Sequence, residues 1–201
     1  MSEQKSAPRT INSVHDPKLQ SELRLFHRVL MSYTDFYQAK RISDYMLGSK
    51  IYPGEPEENR TLYEALNCAA IVAYCRPFSG NEGSSTTLAD LPQRFLKVLT
   101  EEERRVHDVV IADRNTVLAH SDSDAWEMEP LVFRLGNGKE TLAPMHNPVH
   151  APLTREAMTS FNAMCAKLME EVYKERQRLE TVVWKCLRVI DATKEDSDTK
   201  R

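Results

Sequence analysis

The spacing of glycine and proline constrains this chain most strongly. Neither residue occurs in four long windows of the 201 residues: 18–47, 57–76, 93–129 and 153–201. Because glycine and proline end or kink helices, such windows can hold uninterrupted helices. Apolar residues recur in them at spacings of three and four, the period of one helix face. The sequence therefore predicts an all-α fold, a helical bundle of four to five helices.

Residues with known preferences for helix ends mark the limits of the first two helices. Asp16 before Pro17 predicts the start of the first helix. Gly48 predicts its end, since glycine is a common stop. The second helix is expected to end just before Pro77.

The third and fourth helices are also predicted from their caps. Thr100 and Glu103 have the spacing of a capping box, and Thr154 is expected to cap the fourth helix. The fourth helix carries an apolar seam that would extend about 50 Å. Because a bundle of this size does not easily cover so long a face, we expect the helix either to break near residues 174–178 or to pack in part on a partner.

Between the third and fourth helices the pattern changes to that of strands. Two short stretches, 131–135 and 139–142, flank Gly136-Asn137-Gly138. An Asn-Gly turn between such stretches is typical of a β-hairpin. The sequence therefore predicts a small β-hairpin insertion at about 130–145.

Composition and the chain ends limit the classes of protein. A single domain is predicted for residues 16–191, between polar tails at 1–15 and 192–201 that are expected to be disordered. No apolar stretch approaches the roughly 18 residues of a transmembrane helix, and the N-terminus lacks the apolar segment of a secretory signal. The four cysteines form no Cys-x-x-Cys pair and are interpreted as buried residues in a reducing compartment, with disulfides or metal ligands as the alternative. These features predict a cytoplasmic protein without a membrane partner.

The overall charge bears on nucleic-acid binding. The formal net charge is −3, which gives no global basic field. Strong non-specific attraction to nucleic acid is therefore not expected, although a local basic groove is compatible with this charge.

The third helix interrupts its own apolar face with charged residues. Val106 and Val109 begin a stripe that continues at helical spacing to Asp113 and His120. Arg114 lies on the adjoining stripe. An unpaired charge in a core costs several kcal/mol, so these groups need partners, water or a ligand. One interpretation is an internal ion pair of Asp113 with an arginine of another helix, and the other is a functional site or interface.

The predicted helix carries an arginine, a polar residue and a histidine in this order: Arg114, Asn115 and His120, with five residues between the arginine and the histidine. Within Asp113–Asp122 this pattern resembles the signature of HEPN domains (higher eukaryotes and prokaryotes nucleotide-binding). The segment Ala73–Ser79, with its Arg-Pro-Phe, is similar to a segment of the HEPN subgroup linked to abortive phage infection. The resemblance implies a HEPN-like helical bundle, to which the hairpin is an addition.

The resemblance also implies an activity. Many HEPN domains are metal-independent endoribonucleases that work as dimers, without a cofactor. His120 would act as general base on the 2′-hydroxyl of RNA or as acid toward the leaving oxygen. Arg114 would stabilise charge on the phosphate, and Asn115 would orient the phosphate or His120. On one helix Arg114 and His120 lie about 120° apart around the axis and about 9 Å apart along it, so a homodimer that brings two such helices together is expected.

Further expectations concern partners. No metal site is predicted, since Pro148 between His146 and His150 excludes a helical metal pair. As the toxin or effector of a phage-defence or toxin–antitoxin system, the protein would meet a cognate antitoxin or another defence protein. The alternative function is a non-catalytic helical dimer that binds a nucleotide, a nucleic acid or a protein. Candidate RNA contacts, each of which has a solvated surface residue as its alternative, are Arg76, Arg94, Lys97, Arg104 and Arg105.

Overall fold

The computed structural model describes residues 16–79, 88–114, 126–148 and 152–184. It confirms the all-α bundle with a small hairpin, because the described residues form four α-helices, two short 3-10 helices and one antiparallel pair of strands. The helices are α1 (Pro17–Gly48), α2 (Arg60–Cys75), α3 (Glu101–Asp113) and α4 (Arg155–Val183), the strands are β1 (Trp126–Arg134) and β2 (Glu140–Pro148), and the 3-10 helices are Arg76–Phe78 and Gln93–Val98.

The helix ends lie where the capping residues predict them. The Asp16 carboxylate accepts a hydrogen bond from the Lys18 N–H (2.9 Å), and α1 ends at Gly48. At the start of α3 the Thr100 hydroxyl accepts from the Glu103 N–H, and the Glu103 carboxylate accepts from the Thr100 N–H. These bonds satisfy N–H groups that have no partner within the helix and so fix where each helix begins.

The two longest helices, α1 and α4, pack along each other. The Thr154 hydroxyl caps α4 by accepting from the Ala157 N–H (3.3 Å), and the helix continues through residues 174–178. The expected break is therefore wrong. Leu179 and Val183, beyond this point, are fully buried within the chain. The reason is that α1 has 32 residues and α4 has 29, so α1 is long enough to cover the described seam.

Aromatic side chains fill the centre of the bundle. The ring centroid of Tyr74 on α2 lies 5.6 Å from that of Phe36, 5.6 Å from that of Phe78 and 5.2 Å from that of Phe161. These are ordinary distances for tilted aromatic pairs, which stabilise a core beyond the area they bury. The cluster anchors the C-terminal end of α2, where the Arg-Pro-Phe segment begins.

The hairpin is present but longer than predicted. Each strand has nine residues, so the pairing exceeds the expected 130–145 at both ends. Two prolines, Pro130 and Pro144, lie near the predicted limits of the hairpin and directly opposite each other. Proline has no N–H to donate within a sheet, but the strands continue past both residues. Counted from the bond between the Leu135 N–H and the Lys139 carbonyl (2.7 Å), this pair falls at a non-hydrogen-bonded site, where no N–H is needed.

The described residues also bear on the predictions about membrane helices and cysteines. In the parts of the chain that the structure describes, no helix is long and apolar enough to cross a membrane. Cys68, Cys75 and Cys165 are free thiols, and the latter two are buried. The predicted tails at 1–15 and 192–201 lie outside the described residues.

Candidate active site

The predicted catalytic arginine lies at the C-terminal end of α3. Arg114 directly follows the last residue of that helix and keeps helical dihedral angles, and its N–H donates to the carbonyls of Val110 and Ile111. Its side chain is half-buried. Asn115 and His120, the other two predicted catalytic residues, lie outside the described residues, as does the expected continuation of the helix to His120.

The end of α3 is in contact with the end of α2. The Cys75 thiol donates to the Val110 carbonyl over 3.5 Å. Burial raises the pKa of this thiol to about 12, while the guanidinium of Arg114 counteracts the rise and the carboxylate of Asp113 adds to it. Because a nucleophilic cysteine needs a lowered pKa, this thiol is not a nucleophile. The charges of Asp113 and Arg114 are thus close enough to act on the last residue of α2.

Arg76, a predicted RNA contact, directly follows Cys75. Its Nη1 donates to the Asp35 carboxylate (3.3 Å) and to the side-chain carbonyl of Gln38 (3.0 Å), both on α1. Burial raises the pKa of Asp35 in spite of the opposing hydrogen bond and charge of Arg76. Half of the Arg76 side chain remains exposed, so it joins α2 to α1 and still faces solvent.

Two of the other predicted RNA contacts have partners within the chain. Arg104 donates from Nη2 to the Leu96 carbonyl (2.5 Å), which ties α3 to the preceding 3-10 helix. Arg94 donates to the Glu175 carboxylate on α4 (2.9 Å). Like Arg76, these two arginines use part of their donors within the chain.

The last two predicted RNA contacts face water. Arg105 is exposed on α3, and its Nη2 lies 3.9 Å from the Glu101 carboxylate. Lys97 is exposed on the 3-10 helix before α3. Both side chains are open to solvent, so their predicted contact with RNA stays a prediction, with a solvated surface residue as the alternative.

A histidine of α3 is buried in the core. The Nδ1 atom of His107 lies 2.7 Å from the Tyr74 hydroxyl, and the Phe78 ring packs edge-on against the imidazole at a centroid distance of 5.0 Å. Burial lowers the pKa of His107, so the imidazole is neutral at physiological pH. This side chain belongs to the fold and fixes the rotation of α3 about two turns before Arg114.

The opposite end of α3 is held by an ion pair with α4. The Lys167 ammonium lies 2.7 Å from the Glu103 carboxylate. Burial disfavours the ionised carboxylate, but hydrogen bonds from Lys167 and Thr100 outweigh it and lower the pKa of Glu103. Contacts at both ends therefore fix α3 in the bundle and, with it, the position of Arg114.

Sequence reasoning missed Arg28, which is fully buried on α1. Its Nε and Nη2 donate to the Leu88 carbonyl (2.8 and 2.5 Å), and Nη2 also donates to the Ala89 carbonyl. Burial lowers the pKa of Arg28, while Asp90 and Asp35 raise it. The only signal was that Arg28 precedes Asp35 by two helical turns, which places both on one face of α1.

Comparison with protein-family models, curated proteins and solved structures finds no match. Among the described residues there is also no group of three or more histidines, cysteines or carboxylates that could hold a metal ion. The candidate site is therefore defined by its own geometry. It consists of Arg76 and Arg114 on either side of the Cys75–Val110 contact, with Asp35 and Gln38 holding Arg76.

Proposed function

We propose that this chain is a HEPN-like, metal-independent endoribonuclease that acts in the cytoplasm as a homodimer, as an effector of a phage-defence or toxin–antitoxin system. One observation supports this function. The two segments that carry the resemblance, Ala73–Ser79 and Asp113–Asp122, are far apart in the sequence. Cys75 in the first contacts Val110, one turn before the second, at 3.5 Å. A shared site made from both segments needs this proximity.

The proposed chemistry uses the nucleophile that RNA itself carries. His120 accepts the proton of the 2′-hydroxyl, whose oxygen attacks the phosphorus. The bond from phosphorus to the 5′-oxygen breaks, and that oxygen takes up a proton from the histidine of the second subunit. The products are a 2′,3′-cyclic phosphate and a 5′-hydroxyl. Arg114 stabilises the charge on the phosphate with its planar set of donors, and Asn115 orients the phosphate or His120.

The homodimer is part of the proposed mechanism. Arg114 and His120 are separated by about 120° and about 9 Å on one helix, so one helix does not aim both at one phosphate. A two-fold contact between the ends of two α3 helices would place two arginines and two histidines in one cleft. The expected molecular mass in light scattering at micromolar concentration is that of a dimer, and a monomer would contradict this mechanism.

The decisive experiment is cleavage of mixed RNA with and without a chelator. Cleavage is expected to persist in the chelator and to leave 2′,3′-cyclic ends. His120→Ala should abolish turnover with unchanged melting temperature, and Arg114→Ala should reduce it by about 10²–10³-fold, as the loss of one donor to a developing charge does. Arg60→Ala, an exposed arginine of α2 that is not a candidate RNA contact, is the matched control and should cleave like the wild type. Activity that disappears on chelation and returns with a divalent ion would refute the proposal.

A second candidate function is a non-catalytic module that binds a protein such as an antitoxin. The observation that favours it lies near the tip of the hairpin, where Val132 and Leu142 are directly opposite each other and exposed on one face. Phe133 is exposed on the other face, and Leu135, just after β1, is exposed as well. Exposed apolar side chains that lie side by side are typical of contact surfaces. Leu142→Glu is expected to abolish antitoxin binding and to leave RNA cleavage unchanged. If antitoxin binding survives this substitution, the tip is not the contact surface.

A further inference from the structure

An open groove lies between α1 and α2. Its volume is about 450 Å³, within the range of ligand sites. Tyr37 and Tyr45 are large aromatic side chains in it, and they are 46% and 56% exposed. Aromatic rings of this size are usually buried, so two of them at one groove call for an explanation. The lining residues are Thr34, Tyr37, Gln38, Arg41, Ile42, Tyr45 and Leu66.

The charge of the groove favours an anionic occupant. Arg41 is the charged side chain among its lining residues, which include no carboxylate. Its guanidinium lies 5.8 Å from the centroid of the Tyr37 ring, a cation–π distance. The nearby Asp44 carboxylate accepts hydrogen bonds from Lys40 (2.9 Å) and Asn162 (2.7 Å). Its negative charge is thus offset by the ammonium of Lys40 instead of opposing a ligand in the groove.

The groove leads toward the candidate active site. Gln38 lines the groove and accepts a hydrogen bond from Nη1 of Arg76. Arg76 follows Cys75, whose thiol contacts α3 one turn before Arg114. A linear ligand that lies along the groove would therefore pass Arg76 on its way to the end of α3.

We infer that the groove between α1 and α2 binds single-stranded RNA, with two bases of the strand stacked on Tyr37 and Tyr45 and the backbone phosphates paired with Arg41 and Arg76. Aromatic faces combined with arginines are the usual means of binding a single strand without reading its sequence. The two tyrosines are eight residues apart, about 12 Å along α1, so they would contact different nucleotides. Gln38 and Thr34 add polar groups for base edges. The inference rests on the proposed function for its choice of RNA over other polyanions.

The test measures binding separately from cleavage. The probe is a fluorescent single-stranded oligouridine with 2′-O-methyl groups, which removes the nucleophile, and the readout is anisotropy with the full chain. Tyr37→Ala and Tyr45→Ala are each expected to weaken binding about tenfold, in the range measured for loss of one stacked base. Arg41→Gln should reduce the slope of log affinity against log salt by about 0.7, the contribution of one phosphate contact to a single strand.

The chain offers a matched control on another face. Tyr173 on α4 is 44% exposed, and the Arg176 guanidinium lies 5.9 Å from its ring centroid, so the pair repeats the geometry of Tyr37 and Arg41 outside the groove. Tyr173→Ala should bind the oligonucleotide like the wild type. Tyr37 and Tyr45 line an open groove, so their replacement should leave the melting temperature unchanged. Tyr173 also packs on Tyr33 of α1 at a ring-centroid distance of 6.2 Å, so its variant is compared well below its own melting temperature.

Several outcomes would overturn the inference. It would be overturned if the Tyr37→Ala and Tyr45→Ala variants bound the oligonucleotide as tightly as the wild type. It would also be overturned if a free mononucleotide bound as tightly as the strand. Unchanged RNA affinity together with loss of a bound protein partner would assign the groove to that partner instead. If the wild type binds the strand through the tyrosines but never cleaves RNA, the groove inference stands and the proposed nuclease function is refuted. If the wild type cleaves RNA and the tyrosine variants bind the strand normally, the nuclease function stands and the groove inference is refuted.

Discussion

Arginines in two regions of the molecule differ in what their guanidinium groups bind. Arg28 is fully buried and donates to backbone carbonyls of the segment before the second 3-10 helix. Arg155 donates to the carbonyls of Leu47 and Ser49 and stacks over an aromatic ring. In the region of the groove, Arg41 and Arg76 instead contact side chains and keep an exposed surface.

What a guanidinium group binds separates arginines that stabilise the fold from arginines that are available to a ligand. A guanidinium that satisfies carbonyls of its own chain cannot be removed without leaving buried acceptors unpaired, so its loss should reduce stability. A guanidinium that faces solvent has donors left for a phosphate, so its loss should reduce binding. Sequence alone treats both kinds as equal positive charges.

The largest effect is expected for Arg28→Met. We expect the free energy of unfolding to fall by about 3 kcal/mol, because the carbonyls of Leu88 and Ala89 lose a buried donor. Urea denaturation followed by circular dichroism measures this change. Arg105→Met is the matched control on an exposed arginine and should change stability by less than about 0.5 kcal/mol. If the two substitutions lowered the free energy of unfolding equally, buried arginines would not differ from exposed ones in their contribution to stability.

Arg155→Ala should have the next largest effect on stability. Its guanidinium bonds to the Glu55 carboxylate and to two carbonyls at the end of α1, that of Leu47 in the last turn and that of Ser49 just after it, and it is more exposed than that of Arg28. We expect a loss of about 2 kcal/mol in the same urea titration. Arg155→Lys should recover little of it, since an ammonium does not reproduce the planar fork of donors. Full recovery by lysine would mean that charge alone matters at this position.

Because His107 is buried, we expect the stability of the fold to depend on pH. His107 is neutral in the fold because burial lowers its pKa below the ordinary 6.5. As the pH falls below 6.5, the unfolded chain takes up a proton that the native chain does not, so stability decreases; above 6.5 the contribution is complete. Urea titrations at about pH 7.5 and about pH 5.5 measure the loss. His107→Gln should show a smaller loss, and an identical loss would assign the effect to other groups.

The smallest change in stability is expected for Arg76→Ala. Its ion pair with Asp35 is partly exposed at 3.3 Å, and pairs of this kind contribute less than about 1 kcal/mol. The same variant is expected to bind the single-stranded oligonucleotide more weakly than the wild type. A large loss of stability with unchanged RNA affinity would mean that Arg76 stabilises the fold, like Arg28 and Arg155, and does not bind RNA.

Local signals in the sequence predicted much of the fold. The side chains of Asp16, Thr100 and Thr154 act on neighbouring backbone groups, so their positions alone locate helix starts. The length of the hairpin was not predictable in this way, because Pro130 and Pro144 are tolerated only in a register that places them at a non-hydrogen-bonded site. The continuous α4 likewise depends on the length of its neighbour α1, a property of tertiary packing.

The candidate site was less predictable than the fold. The sequence singled out Arg114 and Arg76, and the structure brings the chain at these residues together through Cys75. It did not single out Tyr37 and Tyr45, because on α1 they follow the same spacing as core residues. Their exposure depends on where α2 lies, which no periodicity within α1 encodes. Arg28 was missed for the same reason, since its carbonyl partners lie 60 residues away.

The contact between Cys75 and Val110 also gives the protein a built-in chemical reporter. A buried thiol with a raised pKa reacts with an alkylating reagent only when the junction of α2 and α3 opens, so its modification rate measures the opening equilibrium. Cys68, on the same helix and partly exposed, reacts without this opening and supplies the reference rate. Mass spectrometry of the alkylated wild-type chain can therefore follow the local unfolding of the region that holds Arg114 without any substitution.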